Sequence, residues 1–367
     1  MASRLVSAII AALLIAASAQ ADEAMSVRRG LETVPLAGWN GVPPLITVVD
    51  LSAARAAIGK DDPWWPASRF ANDQIRPLRA WRVGDPAQRD RLTGGPVASI
   101  AGFVGYGASP NDVSIWVMKD DARATSLFDT LPGRGFAPRG DGLLANGEPN
   151  HVDIQRRAPD DPWLGDLGLT SVVARQGRIL LQGRNDAAVT VARQAADANI
   201  IQAPVVDAVL RGLEAATADG ALVVQADLVS QPIDDHGNLL SPSIEQALDD
   251  VPGLPPYWAV LDARVERAAG TQGRVTAYGF TDCAAAAEAA RRLARSWDVF
   301  RTRPGSVKQV EGVDVSTQTV AGARGACSAV LAVTAPSPDA DFRVSFAAYG
   351  LFALLLSDAP TDAPGKP

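Results

Sequence analysis

Short apolar runs typical of strands recur along the chain, many in pairs that a turn connects. The runs at 45–50, 100–105 and 113–118 are rich in β-branched and aromatic residues and are bounded by turn residues. Further strands are predicted at 142–146, 151–155, 171–174, 179–182, 221–226, 257–265, 274–280, 313–320 and 327–333. Most consecutive runs are separated by short turns, which predicts antiparallel hairpins.

Helical runs lie between the strand pairs. The longest, at 282–300, is dense in alanine and carries Arg291 and Arg295 toward its C-terminal half, where positive charge suits the helix dipole. Another is predicted to begin at Asp121 as its cap and to stop at Pro132. The remaining predicted helices lie at 52–58, 187–198, 205–216 and 342–356.

Both halves of the chain follow the order hairpin, helix, hairpin, helix. This order predicts an α+β protein of two similar units, each an antiparallel sheet with helices packed on one face. The first unit is placed at 22–203 and contains an irregular Trp- and Pro-rich segment at 59–97. The second unit is placed at 204–358, and the Asp- and Pro-rich tail at 359–367 is predicted to be disordered.

The first residues predict export. Arg4 precedes an apolar run at 5–17, which is too short to cross a bilayer as a helix. The run ends in Ser-Ala-Gln-Ala at 18–21, a small-x-small pattern typical of signal peptidase sites. We therefore expect residues 1–21 to be a cleaved signal peptide. The mature protein is expected to be soluble, periplasmic or secreted, and without a transmembrane segment.

Composition narrows the classes of partner. The chain has 367 residues, a formal net charge of −7 and 47% hydrophobic residues, so it can bury a sizeable core. The acidic balance argues against nucleic acid and against anionic membrane surfaces, because both require a basic footprint. The nearly all-apolar run at 342–356 is too short to span a membrane. It is interpreted as a buried helix, and partner binding is the alternative.

The two cysteines, Cys283 and Cys327, are predicted to form a disulfide, because thiols in an oxidising compartment are usually paired. The alternative, a catalytic thiol, requires a neighbouring base. The only histidines are His151 and His236, and neither lies in a setting typical of cysteine hydrolases. The predicted bridge pins the longest helix to a strand of its own unit.

Motifs for cofactors and catalysis are absent from the sequence. The run around His236 lacks the spacing of a calcium loop, and no G-x-S-x-G nucleophile motif occurs. The glycine-rich stretch at 133–142 is interrupted by Pro138 and does not lead into a phosphate-binding helix. We therefore expect no cofactor, no metal and no catalytic residue. His151 is interpreted as a structural or exposed histidine.

Acidic doublets are interpreted as local capping groups. The sequence Asp-Asp-Pro-Trp occurs at 61–64 and at 160–163, where an Asp cap followed by Pro suits the first turn of a helix. Hydrolysis by two carboxylates needs side chains that face each other a few ångströms apart. Neighbours in sequence point in different directions, so the doublets do not form such pairs.

Trp64 and Trp65 are the one predicted recognition feature. Adjacent indoles in a polar, irregular segment cannot easily bury their rings in the same direction, so one can form an exposed surface for sugar, peptide or protein. The alternative is that both indoles staple the loop onto the core.

Together these patterns predict an exported, non-catalytic binding or interaction protein, with a protein partner or a small ligand in the cell envelope. Two alternatives stay open. A carboxylate-dependent envelope hydrolase would be favoured by a cleft with two facing carboxylates. A structural or assembly factor of an envelope complex would be favoured by a large exposed apolar patch.

Overall fold

The computed structural model describes residues 25–39, 45–58, 75–229, 253–267, 271–301 and 313–335. Several predicted features lie outside the described residues. They are the signal peptide, Trp64 and Trp65, His236, the helix at 342–356 and the tail at 359–367.

The strands of the described chain form one sheet. Its 12 strands have the order β11-β12-β10-β9-β8-β1-β2-β3-β7-β6-β5-β4, and every neighbouring pair is antiparallel. The strands are β1 (Leu45–Asp50), β2 (Ile100–Tyr106), β3 (Val113–Met118), β4 (Ala137–Gly140), β5 (Leu143–Ala145), β6 (Val172–Gln176), β7 (Ile179–Gly183), β8 (Leu222–Val229), β9 (Ala259–Glu266), β10 (Gln272–Phe280), β11 (Asp314–Ala321) and β12 (Cys327–Thr334).

Helices connect the strands, so the fold is α+β, as predicted. In the described part of the chain they are α1 (Val27–Leu31), α2 (Leu51–Ile58), α3 (Arg76–Val83), α4 (Arg89–Thr93), α5 (Asp121–Thr130), α6 (Asp186–Arg193), α7 (Pro204–Ala216) and α8 (Cys283–Arg301). None of them is long and apolar enough to cross a membrane.

One face of the sheet, called here the front face, carries Val48, Ile115 and Ala277 in a single apolar cluster. Helices α1, α6 and α7 contribute buried side chains to this cluster, among them Leu31 and Leu210. Because successive strand residues point to opposite faces, the residues between these positions point to the other side, called here the back face.

Helices also cover the back face, in two separate apolar clusters. The first combines side chains of α2, α3 and α5 with Phe103 and Trp116 of the sheet. The second combines α8 with Tyr278 and Phe280. The prediction that helices pack on one face is therefore not confirmed. The physical reason lies in strands such as β2 and β3, which are buried at every position and need cover on both sides.

Tryptophans fix a long loop to the first half of the sheet. Trp163, in the connection between β5 and β6, stacks on Trp116 with ring centroids 4.7 Å apart. Both indole N–H groups are satisfied: Trp163 donates to the carbonyl of Thr93 at 3.0 Å, and Trp116 donates to Gln182 at 2.9 Å. Trp81 packs edge-on against Trp116. The irregular connection is thus held by the core rather than by secondary structure.

Part of the segment predicted to be irregular is helical. Residues 75–97 contain α3 and α4, although the composition indicated loop. Helix α3 has Pro77 in its first turn and buries Leu78 and Trp81, three residues apart, on one side. Packing of this apolar side decides the structure, which composition alone does not reveal.

The predicted cap of the helix that begins at Asp121 shifts by one residue, because Asp120 accepts the N–H of Arg123 at 2.8 Å and caps α5.

Other local predictions are wrong. Residues 151–155 were expected to form a strand, but only an isolated bridge of Val152 with Leu169 forms there, and a 3-10 turn at Ile154–Arg156 follows it. The sequence at 160–163 does not begin a helix: Asp161 accepts the N–H of Trp163 at 2.7 Å in a tight turn that aims the indole into the core. Strand β4 was missed because it contains Pro138, which is tolerated since β4 is the edge of the sheet.

The predicted disulfide between Cys283 and Cys327 is confirmed. The two Cα atoms lie 5.0 Å apart, and the sequence separation is 44 residues. Cys283 is the first residue of α8 and Cys327 is the first residue of β12. The bond therefore ties one end of the longest described helix to the sheet beneath it.

Candidate functional site

A row of polar residues and one glycine crosses the back face over seven neighbouring strands, which in sheet order are β7, β3, β2, β1, β8, β9 and β10. Each of these strands contributes one residue to the row. Each member is the direct partner of the next in the strand register. In sheet order they are Gln182, Ser114, Gly105, Thr47, Asp227, Asp262 and Thr276. The residues on either side along each strand, such as Ile46 and Val48, belong to the front-face core. The row therefore points to the back face.

The β7 end of the row is structural. Gln182 donates to the carbonyl of Pro162 at 2.8 Å and to the hydroxyl of Ser171 at 2.9 Å, while it accepts from Trp116. The Ser114 hydroxyl accepts the backbone N–H of Arg76 at 3.1 Å. These bonds satisfy buried polar groups around the aromatic core, so this end of the row has a sufficient structural explanation.

The other end of the row is charged. Next to it on the same face runs a second register line, in which Gln225 faces Arg264 and Arg264 faces Arg274. We call the combined group the central polar patch; it comprises Thr47, Gln225, Asp227, Asp262, Arg264, Arg274 and Thr276. It lies on β1, β8, β9 and β10, between the two apolar clusters of the back face.

Asp262 forms an ion pair with Arg274. Arg274 donates two hydrogen bonds to its carboxylate, one of them from Nε at 2.8 Å, and the hydroxyl of Thr276 adds a third at 3.0 Å. The residue is only 2% exposed. A buried carboxylate requires such a partner, because without it the free energy lost on desolvation of the charge is not compensated.

Asp227 faces Asp262 across the strand pair but has a different environment. Its carboxylate accepts hydrogen bonds from uncharged groups, the hydroxyl of Thr47 and the amide of Gln225 at 2.9 Å. The pKa of Asp227 is raised from 3.8 to about 6, chiefly by burial and also by the charge of Asp262, against the opposing effects of Thr47, Arg274 and Gln225. Two adjacent carboxylates with unlike surroundings are what acid–base chemistry or selective ligand binding can use.

The predicted binding residues, Trp64 and Trp65, lie outside the described residues. The acidic doublet at 120–121 begins α5, the doublet at 160–161 forms a turn, and the others lie outside the described residues. His151 is exposed on the connection between β5 and β6. No group of three or more His, Cys, Asp or Glu side chains that could hold a metal occurs in the described ranges.

Asp227 and Asp262 were missed by the sequence reading. One signal could have identified them: each carboxylate stands between two apolar neighbours inside a strand, Ala226 and Leu228 for Asp227 and Leu261 and Ala263 for Asp262. Charged residues are rarely buried unless they are paired, so a charge at an inward position marks a structural or functional constraint.

No family model, curated protein or solved structure matches this chain. The chemistry of the central polar patch and its surroundings is therefore the basis for a proposal of function.

Changing Asp227 should alter how stability depends on pH. The folded-state pKa of Asp227 is about 6, above the ordinary 3.8, so the folded protein holds this proton more tightly than the unfolded chain does. Stability from this group is therefore present at low pH and is lost as pH rises from about 4 through about 6. Asp227→Asn has no carboxyl group at this position and does not show this loss. The free energy of unfolding of the variant relative to wild type should therefore be about 2 kcal/mol higher at about pH 8 than at about pH 4.

Urea unfolding of both proteins at the two pH values measures this gain. Asp120→Asn, at the cap of α5, is the matched control, because Asn caps helices as well as Asp does. A difference between wild type and Asp227→Asn that stays the same at both pH values would contradict the assigned environment of Asp227.

Proposed function

We propose that the protein is exported and acts as a non-catalytic binding protein of the cell envelope, with the central polar patch as the site for a small polar ligand. The observation that carries the proposal is the position of the buried Asp262 beside the half-buried Asp227 and Arg274 in the middle of a sheet. Buried ion pairs are weak contributors to stability compared with apolar residues of similar size. Stability alone therefore does not explain why the patch is charged.

Export is part of the proposal. Its support is the N-terminal sequence pattern at 1–21 together with the bond between Cys283 and Cys327. Disulfides form and persist in oxidising compartments such as the periplasm, and are rare in the cytosol.

We also propose that the two halves, 22–203 and 204–358, are copies of one unit. The order β1-β2-β3-β7-β6 in one half corresponds to β8-β9-β10-β12-β11 in the other. In each half a helix, α5 or α8, follows the third strand, and the second strand of a later hairpin, β6–β7 or β11–β12, returns to pair with that third strand. The first half has the additional hairpin β4–β5 between its helix and this return. Strands β1 and β8 join the halves, so the patch lies at their junction, where ligand sites are frequent.

The chemistry of the patch defines the class of ligand. Arg264, Arg274 and Gln225 supply N–H donors, while the carboxylates of Asp227 and Asp262 supply acceptors. This set complements a solute that carries both hydroxyl or amide groups and acceptor oxygens, such as a sugar or a short peptide.

The test is native purification of the exported protein from its own cell envelope. Small molecules released by denaturing the wild type, Asp227→Asn and Asp120→Asn proteins are compared by mass spectrometry. A polar solute that accompanies the wild type and the Asp120→Asn control, but not a folded Asp227→Asn protein, supports the proposal. The same solute content in all three proteins, or none in any, contradicts it.

The facing carboxylates favour a second candidate, a carboxylate-dependent envelope hydrolase. Glycoside hydrolysis uses two carboxyl groups, one of which has a raised pKa and acts as the acid. Asp227, with its pKa raised to about 6 by burial, is the group suited to that role. Release of soluble reducing ends from envelope polysaccharide by the wild type, and not by Asp227→Asn, would support hydrolysis instead of binding.

A third candidate, an assembly factor, is favoured by a surface patch on the connection between β5 and β6. Val152, Ile154 and Leu167 are exposed there, Ile154 by 65%, and the strand-like bridge of Val152 with Leu169 brings their segments together. Exposed apolar groups gathered in one place are typical of protein contacts. A stoichiometric protein that co-purifies with the wild type and is lost in Ile154→Ser would support this function.

A further inference from the structure

A cavity of about 230 Å³ lies at the end of the sheet where β1 ends and β8 begins. Its walls come from α1, the start of α2, the C-terminal half of α7 and the first residues of β8. Several of these residues belong to the front-face cluster, whereas the central polar patch points to the back face. The cavity is therefore a separate site from the one proposed above.

The cavity has apolar walls of a size that suits a small organic molecule. Leu210 and Leu213 project from α7, Val27 comes from α1, and Val223 closes the side formed by β8. An apolar cavity of about 150 Å³ is sufficient to hold a benzene molecule. The volume here accommodates a short alkyl chain or a single ring with a polar substituent.

One polar group is buried in the cavity wall. Asp50, the last residue of β1, is 5% exposed, and its Oδ1 accepts the N–H of Ala53 at 2.8 Å at the start of α2. Burial raises the pKa of Asp50 to about 7, against the opposing effects of the backbone N–H groups of Ala53 and Ser52 and the charge of Arg55. A buried carboxylate is stabilised in its charged form by a cation that reaches it.

The other charged groups that line the cavity, Arg28 on α1 and Glu214 on α7, offset each other as an ion pair at 2.7 Å. Asp207 lies 3.2 Å from Arg28 and also pairs with Arg211 at 2.7 Å, so these two residues add no net charge. Arg55 on α2 donates instead to the carbonyls of Ile100 and Val97. With Asp50 ionised, the electrostatics favour cations and disfavour anions.

We propose that this cavity binds a small organic cation, an ammonium group attached to a short alkyl chain or single ring. The ammonium contacts the carboxylate of Asp50, and the apolar part lies against Leu210 and Leu213. Burial of the apolar part supplies affinity, and the charge contact selects amines over alcohols of the same shape.

The proposal predicts a pH dependence with a defined sign. The ammonium binds the ionised form of Asp50, whose pKa of about 7 means that the protonated form prevails below that pH. Affinity should therefore rise about tenfold from about pH 6 to about pH 8, where the carboxylate is ionised before the ligand arrives.

Isothermal titration with hexylamine and with 1-hexanol tests the site. The two probes share a chain and differ in charge. Hexylamine should bind the wild type saturably at about pH 8, and 1-hexanol should bind at least about tenfold more weakly. Asp50→Asn, which keeps a capping side chain for α2, should lose at least about tenfold in affinity for hexylamine. Val223→Phe, which fills part of the cavity, should weaken both probes.

Asp120→Asn, a cap substitution at another helix, should bind hexylamine as the wild type does. The wild-type pH series needs no substitution, so it tests the charge contact even where a variant does not fold. Equal binding of hexylamine and 1-hexanol, unchanged affinity between about pH 6 and pH 8, or no saturable binding of hexylamine would overturn the proposal.

Discussion

Replacing both Cys283 and Cys327 by alanine should lower the free energy of unfolding by about 4 kcal/mol. The bond closes a loop with a sequence separation of 44 residues, and restricting an unfolded chain over that length is worth about 4 kcal/mol in the loop-entropy description. Cys327 is 1% exposed, so its replacement adds a small packing loss, whereas Cys283 is exposed and adds little. Urea unfolding of the wild type and the double variant measures the difference.

The reduced wild type is the control for this prediction. Treatment with a thiol reductant should bring the wild type close to the double variant and should leave the variant unchanged. Reduction lowers the stability because it releases the first turn of α8 from the start of β12. A wild type whose unfolding midpoint is insensitive to reductant after complete thiol release would contradict the predicted contribution.

Replacing Arg274 by methionine should cost about 3–5 kcal/mol of stability, because it leaves a buried carboxylate without its charged partner. Asp262 is 2% exposed and receives two of its hydrogen bonds from the guanidinium of Arg274. The remaining hydroxyl of Thr276 does not compensate a full charge. Chemical denaturation near neutral pH measures the loss.

Two further variants separate this effect from the simple loss of a surface charge. Arg291→Met removes an exposed ion pair, since the side chain of Arg291 is 70% exposed, and should cost less than about 1 kcal/mol. The double substitution Asp262→Leu with Arg274→Met should recover most of the loss, because no unpaired carboxylate is left at position 262. A double variant as unstable as Arg274→Met alone would rule out an unpaired carboxylate as the cause.

Local patterns revealed most of the strands. The hairpin of β9 and β10 and that of β11 and β12 were predicted because apolar runs flank short turns, and the structure has them with small shifts at the ends. The failure at α3 has a clear cause. Its helix depends on packing Trp81 against Phe103 and Trp116, and a Pro- and Arg-rich composition does not indicate such a contact.

The candidate site could not be assembled from the sequence, for a geometric reason. Alternation in a strand indicates which residues share a face, but it does not indicate which strand lies alongside. Thr47 and Asp227 are 180 residues apart and meet only because β1 pairs with β8. The carboxylates that stand between apolar neighbours in β8 and β9 were visible in the sequence, whereas their pairing was not.

The antiparallel pairing of β1 with β8 sets the stoichiometry of any ligand in the central polar patch. Two antiparallel strands are related by a local two-fold axis, as the central strands of a symmetric dimer with a continuous sheet are. In a symmetric dimer each site would occur twice. Here the partner of Thr47 on β2 is Gly105, whereas the partner of Asp227 on β9 is Asp262. Within the described ranges, the facing carboxylates at this junction thus occur once, so a ligand held by both would bind one molecule per chain.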